Sequence, residues 1–196
     1  KNAYAYAREP ELLCNTSIQE YRLYSARKKP ERRVGINRLE GSNWPEPKFG
    51  PNDGLARHTV NWQQLDDMPA EKLTALDYNW ETSRPDIMMR AMVLADDILF
   101  SAGPPDVANE KKLWGQSHTE EYREKMRKQA AALRGELGAE LWAVSKDTGE
   151  RLARYELDVL PAFDGLIAAR GRLFMTTEDG SVLSFTERVS RAASRR

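Results

Sequence analysis

Val93-Leu94-Ala95-Asp96-Asp97-Ile98-Leu99-Phe100 is matched without a gap by Ile167-Ala168-Ala169-Arg170-Gly171-Arg172-Leu173-Phe174. Ala95, Leu99 and Phe100 fall on Ala169, Leu173 and Phe174, each 74 positions later. In both copies two polar or glycine residues separate two short apolar runs, which is the spacing of a tight β-hairpin. Around the first copy, Met89 to Leu94 and Ile98 to Ala102 are predicted strands joined at Asp96-Asp97. Gly103-Pro104-Pro105 ends the second, because proline cannot continue a ladder. Strands resume with Leu141 to Ser145, the turn Lys146-Asp147-Thr148-Gly149, and Arg151 to Leu157. Asp164-Gly165 marks a further turn. Leu166 to Ala169, Arg172 to Thr177 and Ser181 to Phe185 follow as three short strands, turning at Gly171 and at Glu178-Asp179-Gly180.

A propeller blade takes roughly 40–45 residues. The 74-residue offset exceeds one blade by about the length of the segment 106–137, so the repeat reads as a four-stranded blade carrying a helical insertion. Met88 to Leu157 supplies the four strands of one blade, and Leu166 to Phe185 three strands of the next. The closing strand is missing, as expected of a ring closed by a strand from elsewhere. A blade is apolar on both faces and cannot bury either one alone. The fold class expected is therefore all-β: a partial β-propeller of about two four-stranded antiparallel blades over residues 87–187. A basic tail, 188–196, follows.

Within the insertion, Glu120 to Leu133 is built of strong helix formers, with Glu121–Lys125 and Glu124–Lys128 at helix-favouring spacing. Tyr122, Met126, Ala130 and Leu133 form a narrow apolar stripe, which predicts an amphipathic helix lying on a surface, ended near Gly135 and Gly138.

Residues 1–86 read as an irregular, loop-rich segment that forms part of a further blade at most. Thr16 and Gln19 fit a helix capping box, with Ile18, Tyr21 and Leu12 on one face. Glu20 to Ala26 also alternates as a strand would, and local pattern leaves both readings open. From Pro30 to Pro69 turn residues dominate, and Trp44, Phe49 and Trp62 imply that this loop packs on something.

The 196 residues carry 30 basic and 30 acidic side chains, so no general electrostatic attraction to nucleic acid or to an anionic membrane is expected. Arg27, Lys28, Lys29, Arg32 and Arg33 cluster, and the tail holds Arg188, Arg191, Arg195 and Arg196; both are read as solvated. Cys14 is the single cysteine, which rules out an internal disulfide and suits a small buried apolar residue. No run is long and apolar enough to span a membrane. The chain opens at Lys1 without a recognisable leader, and is read as a processed product or an internal or C-terminal fragment.

Leu141-Trp142-Ala143-Val144-Ser145-Lys146-Asp147-Thr148-Gly149-Glu150-Arg151-Leu152 resembles the repeat of pyrroloquinoline-quinone (PQQ)-like, or quinoprotein-like, β-propellers. Gly171-Arg172-Leu173-Phe174-Met175-Thr176-Thr177-Glu178-Asp179-Gly180-Ser181-Val182-Leu183 is similar to the adjoining part of that repeat. The helical insertion after Ala102-Gly103-Pro104-Pro105-Asp106 resembles a subgroup of large bacterial exported proteins. The resemblance implies structural repeat roles for Trp142, Thr148, Gly149, Phe174, Asp179 and Gly180, and export to the periplasm or cell surface. Two positions depart from the repeat. Ser145 stands where the enzymes commonly have Asp, and Arg154-Tyr155 replaces the tryptophan that docks each blade to its neighbour.

Catalytic chemistry finds little support in the residues. His58 and His118 with one cysteine do not make a zinc site, and there is no phosphate loop or nucleophile elbow. Asn52-Asp53-Gly54 is too short for a calcium loop, and Asp96-Asp97 and Asp66-Asp67 read as turn and loop acids. No catalytic, cofactor-binding or metal residue is assigned. The function expected is a non-catalytic binding or scaffolding module whose partners are other propeller blades, from the same or a companion chain, and a protein or polymer. Candidate interaction residues are Trp44, Trp62 and Tyr122. The alternative is a fragment of a PQQ-dependent dehydrogenase that uses PQQ and calcium to oxidise alcohols or sugars. A third reading is a domain that only holds an assembly together through the aromatic loop 40–65.

Overall fold

The computed structural model describes residues 1–8, 20–28, 76–113 and 115–186. Three antiparallel sheets make up the architecture. The first contains β1 (Asn2–Arg8), β2 (Tyr21–Arg27) and β3 (Tyr78–Ser83), in that order. The central sheet is a meander of β4 (Ala91–Ala95), β5 (Ile98–Gly103), β6 (Ala139–Ser145) and β7 (Arg151–Leu157). The third contains β8 (Pro161–Ala169), β9 (Arg172–Thr177) and β10 (Val182–Thr186). Between β5 and β6 lie a one-turn helix α1 (Glu110–Leu113) and the longer α2 (Glu120–Leu133). The chain is thus all-β in class, and among the described residues no sheet closes on itself.

Period-two alternation sends successive side chains of each central strand to opposite faces. Leu99 on β5, with Trp142 and Val144 on β6, points toward the first sheet and meets Leu23, Ile87 and Met89, flanked by Tyr4, Tyr6, Trp80 and Met92. Ala102 and Leu141 point the other way and meet Leu166, Leu173 and Met175, flanked by Val93, Phe100, Leu183 and Phe185. The middle strands β5 and β6 are therefore covered on both faces by the neighbouring sheets, while β7 stays largely exposed. β4 and β8, the first strands of adjacent sheets, pack against each other.

The repeated hairpin takes one geometry twice. Ala95 pairs with Ile98 and Ala169 with Arg172, so the register around the two turns is the same. The first turn residue is left-handed in both, at φ 52° for Asp96 and for Arg170. Asp tolerates this conformation, and at the second turn Gly171, at φ 70°, relieves the following position.

Several expected boundaries move. The strand expected at Met89 to Leu94 is Ala91–Ala95. Residues 88–90 still pair, through Met88 N to Pro104 O (2.9 Å) and Arg90 N to Ala102 O (2.8 Å). Gly103 permits this approach, since a Cβ there would sit 1.9 Å from Met88 O. Asp164-Gly165 does not separate two strands. It is an irregularity within β8, between the Pro161–Thr177 and Leu166–Met175 pairs, with Asp164 at φ 55°. The described parts of residues 1–86 supply β1, β2 and β3, and the rest of the segment read as loop-rich lies outside the described residues. Tyr21–Arg27 takes the strand alternative; Thr16 and Gln19 lie outside the described residues.

The helix covers Glu120–Leu133 as expected. The Thr119 hydroxyl caps it by accepting from Tyr122 N at 3.2 Å, and Gly135 at φ 83° follows its end. Its buried residues are Gln129 and Ala132, whereas Leu133 of the expected stripe is 41% exposed. The anchor is polar: Gln129 Oε1 accepts from Val107 N (2.8 Å) and Ala108 N (3.0 Å), and Nε2 donates to Pro105 O (3.3 Å). Tyr122, Met126 and Ala130 of the expected stripe are half-buried beside this polar anchor.

Candidate functional site

The seam between the first and central sheets gathers most of the chemistry. Pairing of Trp80 with Ser25 fixes the Trp80 side chain on the face turned toward the central sheet. Its indole lies against Gly149, where a Cβ would meet Cε3 at 2.5 Å. Trp80 Nε1 donates to Lys146 O at 2.7 Å. Gly149 itself sits at φ 75°, so the turn needs glycine both for its backbone and for the ring that rests on it.

Beside this contact is a cavity of about 310 Å³, which reaches the lower end of ligand-pocket size. Leu23, Pro85, Trp142 and Val144 give it apolar walls; Thr82, Arg84, Asp86 and Arg151 give it polar ones. The Arg151 guanidinium lies 4.4 Å from the Trp142 ring centre, a cation–π geometry. Among the described residues neither Arg151 nor Asp86 has an ion-pair partner. Arg84 Nε is 3.1 Å from Glu20 Oε2, and Glu20 is buried. Trp142 Nε1 donates to Glu140 Oε2 (2.6 Å), and Arg154 Nη2 donates to Glu140 Oε1 (2.7 Å). Both oxygens of this buried carboxylate are thereby committed to structure.

Two groups near the seam titrate abnormally. Burial, with further repulsion from Glu20 and Glu110, pushes the Asp106 carboxyl up to about 6 against the opposing pull of Arg84. Burial also raises the Tyr6 phenol, whose Oη donates to Ile87 O at 3.3 Å. On the opposite face of the first sheet, Arg22 stacks on Tyr78 at 4.5 Å and Tyr24 at 5.1 Å and binds Glu81 at 2.7 Å. Among the described residues, no three His, Cys, Asp or Glu side chains group closely enough to hold a metal ion. No helix among them is long and apolar enough to cross a membrane.

The residues singled out by the repeat fall into two places. Trp142 and Gly149 line the same cavity, and Thr148 shapes the adjoining turn by accepting from Glu150 N at 3.3 Å. Phe174 is half-buried on β9, in the third sheet. Asp179 and Gly180 build the β9–β10 turn, where Asp179 Oδ1 accepts from Ser181 N at 3.0 Å and Gly180 has φ 86°. Hydrogen bonds from Thr177 and Ser181 hold the Asp179 carboxyl below its ordinary range. Tyr122 is half-buried on α2, while Trp44, Trp62, Cys14 and His58 lie outside the described residues. Sequence reasoning missed Trp80, Arg84 and Asp86, which stand in the stretch read as irregular. The available signal was the alternation of Tyr78-Asn79-Trp80-Glu81-Thr82, too short to be persuasive alone. No family model, curated protein or solved structure matches this chain.

Proposed function

We propose that the chain is a non-catalytic binding or scaffolding module of an exported bacterial protein, built as consecutive blades of a larger β-propeller of the PQQ-like repeat type. The observation that carries this reading is the contact of Trp80 with Gly149 and Lys146 O. In the resembling repeat a tryptophan docks each blade to its neighbour. Here a tryptophan from the last strand of one sheet docks on the Thr-Gly turn of the next. The sandwiching of a four-stranded sheet between two others adds support, because a blade is apolar on both faces. The scaffold assignment rests on how the buried Glu140 is used: its two oxygens accept from Trp142 and Arg154. A carboxylate tied to structural donors is poorly placed to serve as a base.

The competing reading, a fragment of a PQQ-dependent dehydrogenase, has a direct test. Purified protein is supplied with PQQ and calcium and assayed for dye-linked oxidation of alcohols and sugars, with quinone absorbance followed in parallel. The scaffold reading expects no cofactor-dependent turnover and no retained quinone. Turnover that depends on both additions overturns it.

A further inference from the structure

The cavity between the first and central sheets carries charges that the fold does not use. β7 begins at Arg151, which pairs with Val144. Paired residues share a face, so Arg151 lies with Val144 on the side turned toward the first sheet. Its guanidinium rests on the Trp142 ring. Stacking engages only the flat face of that group and leaves its N–H fork free to donate in the plane. Among the described residues the fork has no carboxylate partner. Arg84, the other arginine of the cavity, is already matched, since its Nε lies 3.1 Å from Glu20 Oε2 and its charge also acts on Asp106.

Asp86 puts the opposite charge on the same cavity, and among the described residues it too has no ion-pair partner. The backbone around it is pinned. Arg84 N donates to Tyr21 O at 2.8 Å, Asp106 N donates to Asp86 O at 3.0 Å, and Ile87 bridges Pro105. Arg151 and Asp86 therefore line one space as a cation and an anion that do not neutralise each other. Leu23, Pro85 and Val144 add apolar surface to it.

This chemistry discriminates among ligands. A sugar ring needs an open aromatic face, whereas Trp142 is 4% exposed and has Arg151 over its ring. A phosphate would meet one unpaired cation among the described residues together with the Asp86 carboxylate. A metal ion would find a single carboxylate among the lining residues. A carboxylate, by contrast, matches the Arg151 fork with two parallel hydrogen bonds. An ammonium matches Asp86, and a short aliphatic body matches the apolar walls. The volume of about 310 Å³ suits a small molecule.

We propose that this cavity binds a free aliphatic α-amino acid, with its carboxylate on Arg151, its ammonium on Asp86 and its side chain against Leu23, Pro85 and Val144. The inference goes beyond the scaffold reading and does not depend on the repeat assignment.

Calorimetric titration of the intact chain with L-leucine tests it. Two truncated analogues are titrated in parallel: isocaproate, which lacks the ammonium, and isoamylamine, which lacks the carboxylate. Saturable one-to-one binding of L-leucine is expected, with each analogue weaker by about tenfold or more, the loss that follows from removing one charged hydrogen-bonding group. Arg151→Gln and Asp86→Asn should each weaken L-leucine by about the same factor. Lys128→Gln, exposed on α2, should leave binding unchanged. Arg151 and Asp86 are both exposed, so neither substitution removes core packing, and urea midpoints check the fold of each variant. The analogue series uses wild-type protein and stays decisive should a variant not fold. No saturable binding of L-leucine overturns the proposal. So does binding of either analogue as tight as that of L-leucine, or binding indifferent to Arg151→Gln in a folded variant. PQQ-dependent oxidation is read in a separate assay, so the two readings fail separately.

Discussion

Trp80 and Gly149 form one unit across the first inter-sheet seam: the ring occupies the space a side chain at 149 would need, and its N–H satisfies the Lys146 carbonyl. Each residue is useful mainly because of the other. Gly149→Ala forces a Cβ into the indole and places it on a backbone at φ 75°, so two penalties combine. The expected loss is about 2–4 kcal/mol. Trp80→Phe keeps most of the packing and loses the hydrogen bond, at about 1 kcal/mol. In the double variant Trp80→Ala/Gly149→Ala the clash disappears, so the losses should be clearly less than additive. Urea denaturation of the wild type, Trp80→Ala, Gly149→Ala and the double variant measures this; strict additivity would mean that the seam does not depend on the contact.

Gln129 fixes α2 through two backbone amides, one of which, Ala108 N, would otherwise be buried without an acceptor. Gln129→Ala should cost about 1–3 kcal/mol, the ordinary penalty for leaving such groups unsatisfied. Leu133→Ala, at an exposed position of the same helix, should stay within about 0.5 kcal/mol. Hydrogen exchange locates the effect: amides of 107 and 108 and of the helix should exchange faster in the first variant only. Equal losses for the two substitutions would show that the Gln129 hydrogen bonds do not anchor the helix.

The strands of the central and third sheets were readable because each depends on local information: apolar alternation interrupted by Asp96-Asp97, Arg170-Gly171 or Asp179-Gly180. The first sheet was not. β2 and β3 pair across the long segment that separates Arg27 from Tyr78, and no local pattern announces a partner so distant. Gln129 was passed over for the same reason, since polar side chains on a helix usually face water and its burial is set by amides of another segment. The candidate cavity was half readable. Trp142 and Gly149 were identified from the repeat, whereas Arg84 and Asp86 acquire their place only through the stacking of two sheets.

Asp106 gives a pH dependence whose sign follows from its raised pKa. A carboxyl that titrates near 6 when folded, but near 4 when unfolded, holds its proton more tightly in the native state. Stability from this group is fully present below about 4 and is lost as pH rises toward about 6, after which the curve is flat. Asp106→Asn removes the titrating group. The stability difference between wild type and variant should therefore shift in favour of the variant between pH 4 and 6. Urea midpoints across pH 4–8 report it, and a constant difference would show that Asp106 titrates normally.

Ser101 presents the opposite case, a buried polar atom with nothing to bind. Its side chain is fully buried on β5, opposite Trp142, and its Oγ has no hydrogen-bond partner among the described residues. A hydroxyl in that position has given up water and gained no bond in return. Ser101→Ala removes the unsatisfied oxygen while opening little space, so it should be neutral or stabilising by up to about 1 kcal/mol. Among the fully buried positions of the central sheet this sets it apart, since Leu99→Ala should cost about 2–5 kcal/mol through lost packing. Thermal and urea unfolding of both variants decides the matter. A loss above about 1 kcal/mol for Ser101→Ala would indicate that the hydroxyl has a partner after all, with an ordered water the first species to seek beside Trp142.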